Sequence, residues 1–197
     1  MKTIPFEPSK YYHFFNRGNN KENIFIEDEN YYYFLRLVSK YLLPIIDLYS
    51  YCLLPNHFHL VFRIKEIQDL PIDYQTNKKE LYRAFSNLFN AYTKAFNKRY
   101  QRSGNLFKKH PVKNLIDTEQ YLRNVILYVN TNPDHHNIEN SLDYKFSSYN
   151  KLISSDSLLL NQEIITYLFD DIENFKFAIH SKKMNIEILK DISEIDE

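Results

Sequence analysis

Pro55-Asn56-His57-Phe58-His59-Leu60 is the stretch on which the reading of this chain turns. Side chains alternate faces along a β-strand, so His57 and His59 point the same way, roughly 7 Å apart along one face. Phe58, Leu60 and Phe62 point the other way, toward a core. Pro-Asn just ahead of the pair is turn chemistry. Residues 45–53 and 57–64 therefore read as two apolar-rich strands of one hairpin, whose second arm bears the histidines.

Working outward, residues 10–17 alternate as a first strand. Asp28 opens a helix with an apolar face of Tyr31, Phe34, Leu35, Val38, Tyr41 and Leu42, stopped by Pro44. Residues 65–76 read as a loop. Asn77-Lys78-Lys79-Glu80 has the form of a capping box opening a long helix to about Tyr100. Leu81, Phe85, Leu88, Tyr92 and Phe96 would face its core side. A strand near 110–116 follows. Asp117, with Gln120 three residues on, caps a last helix that must stop before Pro133. The order β-α-β-β-α-β plus one helix predicts an α+β fold: a ferredoxin-like split βαβ with an antiparallel sheet. The first two helices belong on the Phe58 face, leaving the histidine face for the third. Residues 1–149 form this domain, and 150–197 an acidic extension that is helical near 161–181.

On the third helix, Tyr128 and Asn132 are four residues apart and share a face. Two imidazoles, a carboxamide oxygen and a phenol converging on one spot can hold a divalent metal beside a nucleophile. That is equipment for covalent cleavage of a phosphodiester. Tyr128 falls at an edge of the helix's apolar face, held by packing yet able to meet solvent. Two imidazoles with an amide oxygen suit Mg²⁺ or Mn²⁺, and no thiolate is at hand to favour structural zinc. Each motif also fits plainer roles. A strand H-x-H can be a half-exposed polar face, Tyr128 an ordinary core tyrosine, and the Tyr-x-x-x-Asn spacing recurs at Tyr12 and Asn16.

The formal net charge is +0, with 25 basic and 25 acidic residues. The charges are unevenly placed: residues 78–113 hold ten Lys/Arg and one acid, a net of +9. Phosphate binding responds to local charge, so this strip is a credible nucleic-acid footprint. Arg83, Asn87, Asn90, Lys94, Asn97 and Lys98 form a polar stripe on the long helix. Arg17, Arg83, Lys94, Lys98, Arg102, Lys108 and Lys109 are the candidate contacts. The extension, net −5 over residues 150–197, is suited to shielding that strip. One cysteine, Cys52, excludes a disulfide scaffold, and no apolar run reaches membrane-spanning length. A cytoplasmic chain without a signal peptide is expected, nucleoid-associated when on DNA.

Five segments, in order, carry a family resemblance across about 140 residues. They are Tyr12-His13-Phe14-Phe15-Asn16-Arg17-Gly18-Asn19 with Ile24-Phe25, then Tyr51-Cys52-Leu53-Leu54-Pro55-Asn56-His57-Phe58-His59-Leu60. Ser103-Gly104-Asn105-Leu106-Phe107, residues 128–133 and Phe146-Ser147-Ser148-Tyr149 follow. The chain resembles the REP-associated tyrosine transposases, a branch of the single-tyrosine transposases with a histidine-hydrophobic-histidine motif. Leu54 stands where that family usually has Met, Phe146 where it has Trp, and Lys108-Lys109-His110 where a Gln and an Arg often follow. The resemblance implies His57, His59 and Asn132 as metal ligands and Tyr128 as nucleophile, forming a 5′-phosphotyrosine. It implies single-stranded or hairpin DNA as partner, with a homodimer among the compatible assemblies. A hairpin-DNA binder that does not cut, and a metal-dependent phosphodiesterase using water, are the alternatives.

Overall fold

The computed structural model describes residues 5–77, 79–154 and 157–181. Four strands, β1 (Tyr11–Arg17), β2 (Ile46–Leu54), β3 (His57–Ile64) and β4 (Val112–Ile116), form one sheet in the order β2-β3-β1-β4. Every neighbouring pair is antiparallel. It follows that β1 runs parallel to β2 across β3, and β3 parallel to β4 across β1. That is the split βαβ arrangement expected. Helix α1 (Asp28–Tyr41) makes the first crossover. The second contains a short α2 (Ile72–Thr76), where a plain loop was expected, and the long α3 (Lys79–Arg99).

Burial follows the alternation in β3. Phe58, Leu60 and Phe62 are buried, with Phe58 against Phe34 and Phe89 and Phe62 against Phe85. Those rings come from α1 and α3, which cover this face. Leu81, Phe85, Leu88, Tyr92 and Phe96 of α3 are all buried, as their spacing predicts. The proposed capping box at 77–80 lies partly outside the described residues. At α1 the cap shifts by one residue. Glu27 is the N-cap, its carboxylate accepting from the N–H of Asn30 while Asn30 Oδ1 accepts the N–H of Glu27. Asp28 instead begins the helix, where a negative charge suits the positive end of its dipole.

The other face is covered by α4 (Glu119–His135), capped by Thr118, whose side chain accepts the N–H of Tyr121. This corrects Asp117 as the cap. It also corrects the end of the helix, which runs through Pro133 to His135. Proline removes one backbone donor, yet its fixed φ is helical. Thr131 Oγ1 donates to Leu127 O at 3.0 Å, tightening the turn beside it.

Residues beyond 149 form α5 (Tyr149–Ile153), α6 (Glu163–Phe169) and α7 (Ile172–His180). Ile164, Ile165, Leu168, Phe169, Phe175 and Ile179 are buried in the same core as the sheet. Arg123 of α4 donates to Leu168 O at 2.7 Å and lies over the Phe169 ring. The described part of the extension is thus a third layer on α4. Its last residues, 182–197, lie outside the described residues.

One glycine positions the histidine hairpin. Gly18 ends β1, donates its N–H to Asn56 O at 2.8 Å and bridges to Phe107. A methyl group there would run into the carbonyl of Glu22. Gly18→Ala is expected to lower unfolding free energy by about 1–3 kcal/mol, the usual cost of overpacking. Chemical denaturation checks this. An unchanged midpoint would mean that the 18–22 turn yields freely.

Candidate active site

The sheet face under α4 gathers the sequence-predicted residues. His57 and His59 emerge on the same side, their ring centroids 5.2 Å apart. The Tyr128 ring stands edge-on to His59 at 6.0 Å. At the other end of the pair, His136, the residue capping α4, lies 4.7 Å from the His57 ring. Tyr128, Asn132 and His136 are successive four-residue steps on one helix face. Tyr128 meets His59 and His136 meets His57, so Asn132 falls between them, over the pair.

Asn132 is fully buried, and neither its Oδ1 nor its Nδ2 has a hydrogen-bond partner among the described residues. Leaving such atoms unmet costs about 1–3 kcal/mol each, so the position requires an explanation other than stability. A cation bound by the amide oxygen would supply one.

The imidazoles have defined second partners. His57 Nδ1 lies 2.6 Å from Asn56 Oδ1. An amide oxygen only accepts, so Nδ1 donates and a neutral ring carries its lone pair on Nε2. His59 Nδ1 lies 2.9 Å from Nε2 of His13 on β1. When His59 is the donor in that bond, its Nε2 is likewise a lone-pair donor. Ligating histidines are ordinarily oriented in this way through their other nitrogen. Burial, with a smaller contribution from the nearby His136, pushes the His59 pKa down to about 3. It is neutral at any ordinary pH, as a ligand must be. His57, His59 and Asn132 therefore fit a Mg²⁺ or Mn²⁺ ion in donor type. Among the described residues no three His, Cys, Asp or Glu side chains form a metal-holding group by themselves, which leaves the amide as the third donor.

One expectation fails. Tyr128 is only 3% exposed, not at an edge open to solvent. Its ring is enclosed by His13, His59 and His135. The edge reading took this position to border solvent, but in the fold it faces the histidines of β1 and β3. The sequence reading also assigned no role to three histidines. His13 could have been found by strand parity, because Phe15 pairs with His59 and His13 lies two residues away on the same face. His136 lies four residues after Asn132 and His135 seven after Tyr128, both helical repeats of the site.

The basic strip divides in two. Lys94, Lys98, Lys108, Lys109 and Arg83 are exposed. Arg102 is tied into the fold instead, donating to Glu22 at 2.6 Å and to Asn97 Oδ1 at 2.9 Å. Arg17 and Lys108 line a small pocket of about 70 Å³ that also borders His57 and His110. This pocket joins the basic surface to the histidine site.

No family model and no curated protein matches the sequence. Among solved structures, the chain is similar to a REP-associated tyrosine transposase bound to a REP hairpin. The identity is 14% and the TM-score 0.56, over 78% of this chain and 84% of that one. The relationship shown is one of fold. No helix among the described residues is long and apolar enough to cross a membrane.

The burial of His59 has a consequence for acid stability. Its folded pKa of about 3 lies below the ordinary 6.5, so between these values the unfolded chain binds a proton that the folded one does not. Its contribution to stability is therefore lost as pH falls from about 6.5 toward 3, with a slope of up to about 1.4 kcal/mol per pH unit. In denaturant titrations of the metal-free protein, the stability gap between wild type and His59→Gln should narrow over that window. A gap that stays constant would show that His59 does not titrate there.

Proposed function

We propose that this protein is a transposase-like DNA-processing enzyme that binds single-stranded or hairpin DNA and cleaves and rejoins it through Tyr128. The observation that carries this reading is Asn132, fully buried with no hydrogen-bond partner among the described residues, one helical turn after the Tyr128 that meets His59. The fold shared with a tyrosine transposase bound to a DNA hairpin supports it.

His57, His59 and Asn132 would hold the Mg²⁺ or Mn²⁺. Neutralising and orienting the non-bridging oxygens of the scissile phosphate is the chemistry that such a cation supplies when bound. The Tyr128 phenol oxygen attacks phosphorus, losing its proton. The bond from phosphorus to the 3′-oxygen breaks, and that oxygen takes up a proton as a free 3′-hydroxyl. The 5′ side remains on Tyr128 as a phosphodiester of comparable energy, so attack by a 3′-hydroxyl reverses the step and joins strands. His13, His59 and His135 hold the ring in one orientation, so little freedom is lost on reaching the attack geometry. Because Tyr128 is buried, the chemistry requires a shift that admits the phosphate beside it. The pocket at Arg17, Lys108 and His57 marks the side of entry. The exposed lysines supply the sequence-independent attraction to the backbone.

The burial of Tyr128 also favours a second reading, a hairpin-DNA binder that does not cut. Incubation with single-stranded hairpin DNA and Mn²⁺, followed by a denaturing gel, separates the cases. The wild type is expected to form a covalent protein–DNA adduct. Tyr128→Phe should lose adduct and cleavage together, while Mn²⁺ affinity and DNA affinity stay within about twofold, since one oxygen is removed and packing is kept. DNA binding without an adduct from wild type would assign the protein to the binders. Nicking that survives Tyr128→Phe would make water the attacking group and the protein a phosphodiesterase.

Binding has its own signature. Replacing Lys94 and Lys98 together by Gln should lower the slope of log affinity against log salt by roughly 1.5, about 0.7 for each lost single-strand phosphate contact. An unchanged slope would remove that stripe from the interface.

A further inference from the structure

We propose that the cleft between α3 and residues 105–111 seats one unpaired nucleobase of single-stranded DNA, next to the phosphate that approaches His57. The inference rests on the DNA-processing reading and assigns that reading a specificity pocket. The cleft has a volume of about 480 Å³ and is walled on one side by Phe89, Asn90 and Lys94 of α3. Asn105, Phe107 and Lys108 form the opposite wall. Its size falls within the roughly 300–1,000 Å³ usual for small organic ligands.

The chemistry of the lining selects the ligand. Lys94, Lys108 and Lys109 all line it, all three are exposed, and no acidic residue lines it. An anion is therefore favoured at the rim. Half-buried Phe89 offers an aromatic face, supported by the Phe107 ring 4.9 Å away. A ring face flanked by cations is the arrangement on which single-stranded bases stack, while their phosphates are neutralised alongside. Asn90 and Asn105 add exposed amides, each with donors and an acceptor, able to read a base edge.

The cleft is joined to the candidate active site by shared walls. Asn16 and Lys108 line both the cleft and the small pocket at His57. Asn16 is 4% exposed and held in place, its Nδ2 donating to Lys108 O at 3.1 Å and its Oδ1 accepting from Arg17 N at 2.9 Å. At this neck the Lys108 ammonium has its pKa lowered, first by burial and then by Arg17 and Lys21. Cations crowd there, and a phosphate relieves the crowding. A strand with its phosphate at the neck has its neighbouring base beside the cleft.

The test compares fluorescein-labelled dodecathymidylate with a twelve-unit strand of the same phosphates carrying abasic sites throughout. Binding to the full-length protein is followed by anisotropy at fixed salt. The wild type is expected to favour the strand with bases by about tenfold or more, the effect of a stacked base. Phe89→Leu with Asn90→Ala should reduce that ratio at least about threefold, leaving abasic-strand affinity and the salt slope as they were. Asn90→Ala alone, on an exposed helix face, should reduce it in the same direction should the double variant fold poorly. A ratio unchanged in both variants overturns the base seat and leaves the DNA reading intact. Equal loss for both strands also overturns it, because the variants would then act on phosphate binding or folding. No binding of either strand overturns the seat together with the DNA reading.

Discussion

A buried hydrogen-bond knot at Asn130 fixes α4 on the sheet, and the candidate site depends on that placement. Asn130 Nδ2 donates to Ser50 Oγ on β2 at 3.0 Å, and Ser148 Oγ donates to Asn130 Oδ1 at 2.7 Å. Ser148 Oγ in turn accepts the N–H of Tyr51 at 3.0 Å. Apolar contacts between a helix and a sheet tolerate sliding, whereas a satisfied buried polar network has one geometry. A slip of α4 by one helical turn would break both bonds of the Asn130 amide. It would also carry Tyr128 away from His59 and His136 away from His57. The same segment covers one end of the β2 edge: Leu53 donates to Phe146 O and Ser148 to Tyr51 O.

The contrast between Asn130 and Asn132 is instructive. Two residues apart on one helix, both are fully buried. One amide is satisfied by side chains and by Ile126 O, and the other has no hydrogen-bond partner among the described residues. The first contributes to holding the helix. The second costs stability, which is the usual mark of a position kept for binding. Around it the sheet supplies imidazoles whose Nδ1 atoms are engaged at Asn56 and His13, so the rings have little freedom to turn.

The opposite end of the sheet is organised by charge. Arg99 and Arg102 pair with Glu27 and Glu22 and anchor the chain between α3 and the 103–107 turn. Lys113 is withdrawn beneath Phe6 and Tyr82, where burial lowers its pKa to about 8. The +9 of the sequence is thus partly spent on the fold. Lys94, Lys98, Lys108, Lys109 and Arg83 face solvent, and of these Lys94, Lys108 and Lys109 line the cleft.

Strand alternation at His57 and His59, the apolar faces of α1 and α3, and the order of elements are local or periodic properties. The chain alone therefore determines the split βαβ sheet, the face on which the histidines lie and the shared face of Tyr128 and Asn132. Three features needed the tertiary structure, because each is set by partners far away in sequence. His13 meets His59 only through antiparallel pairing across 46 residues. The burial of Tyr128 depends on His13 and His59, which the sheet brings together under α4. The tying of Arg99 and Arg102 into the fold follows from acids at Glu27 and Glu22, more than seventy residues earlier. Periodicity tells a residue which way to face; only packing decides what it meets there.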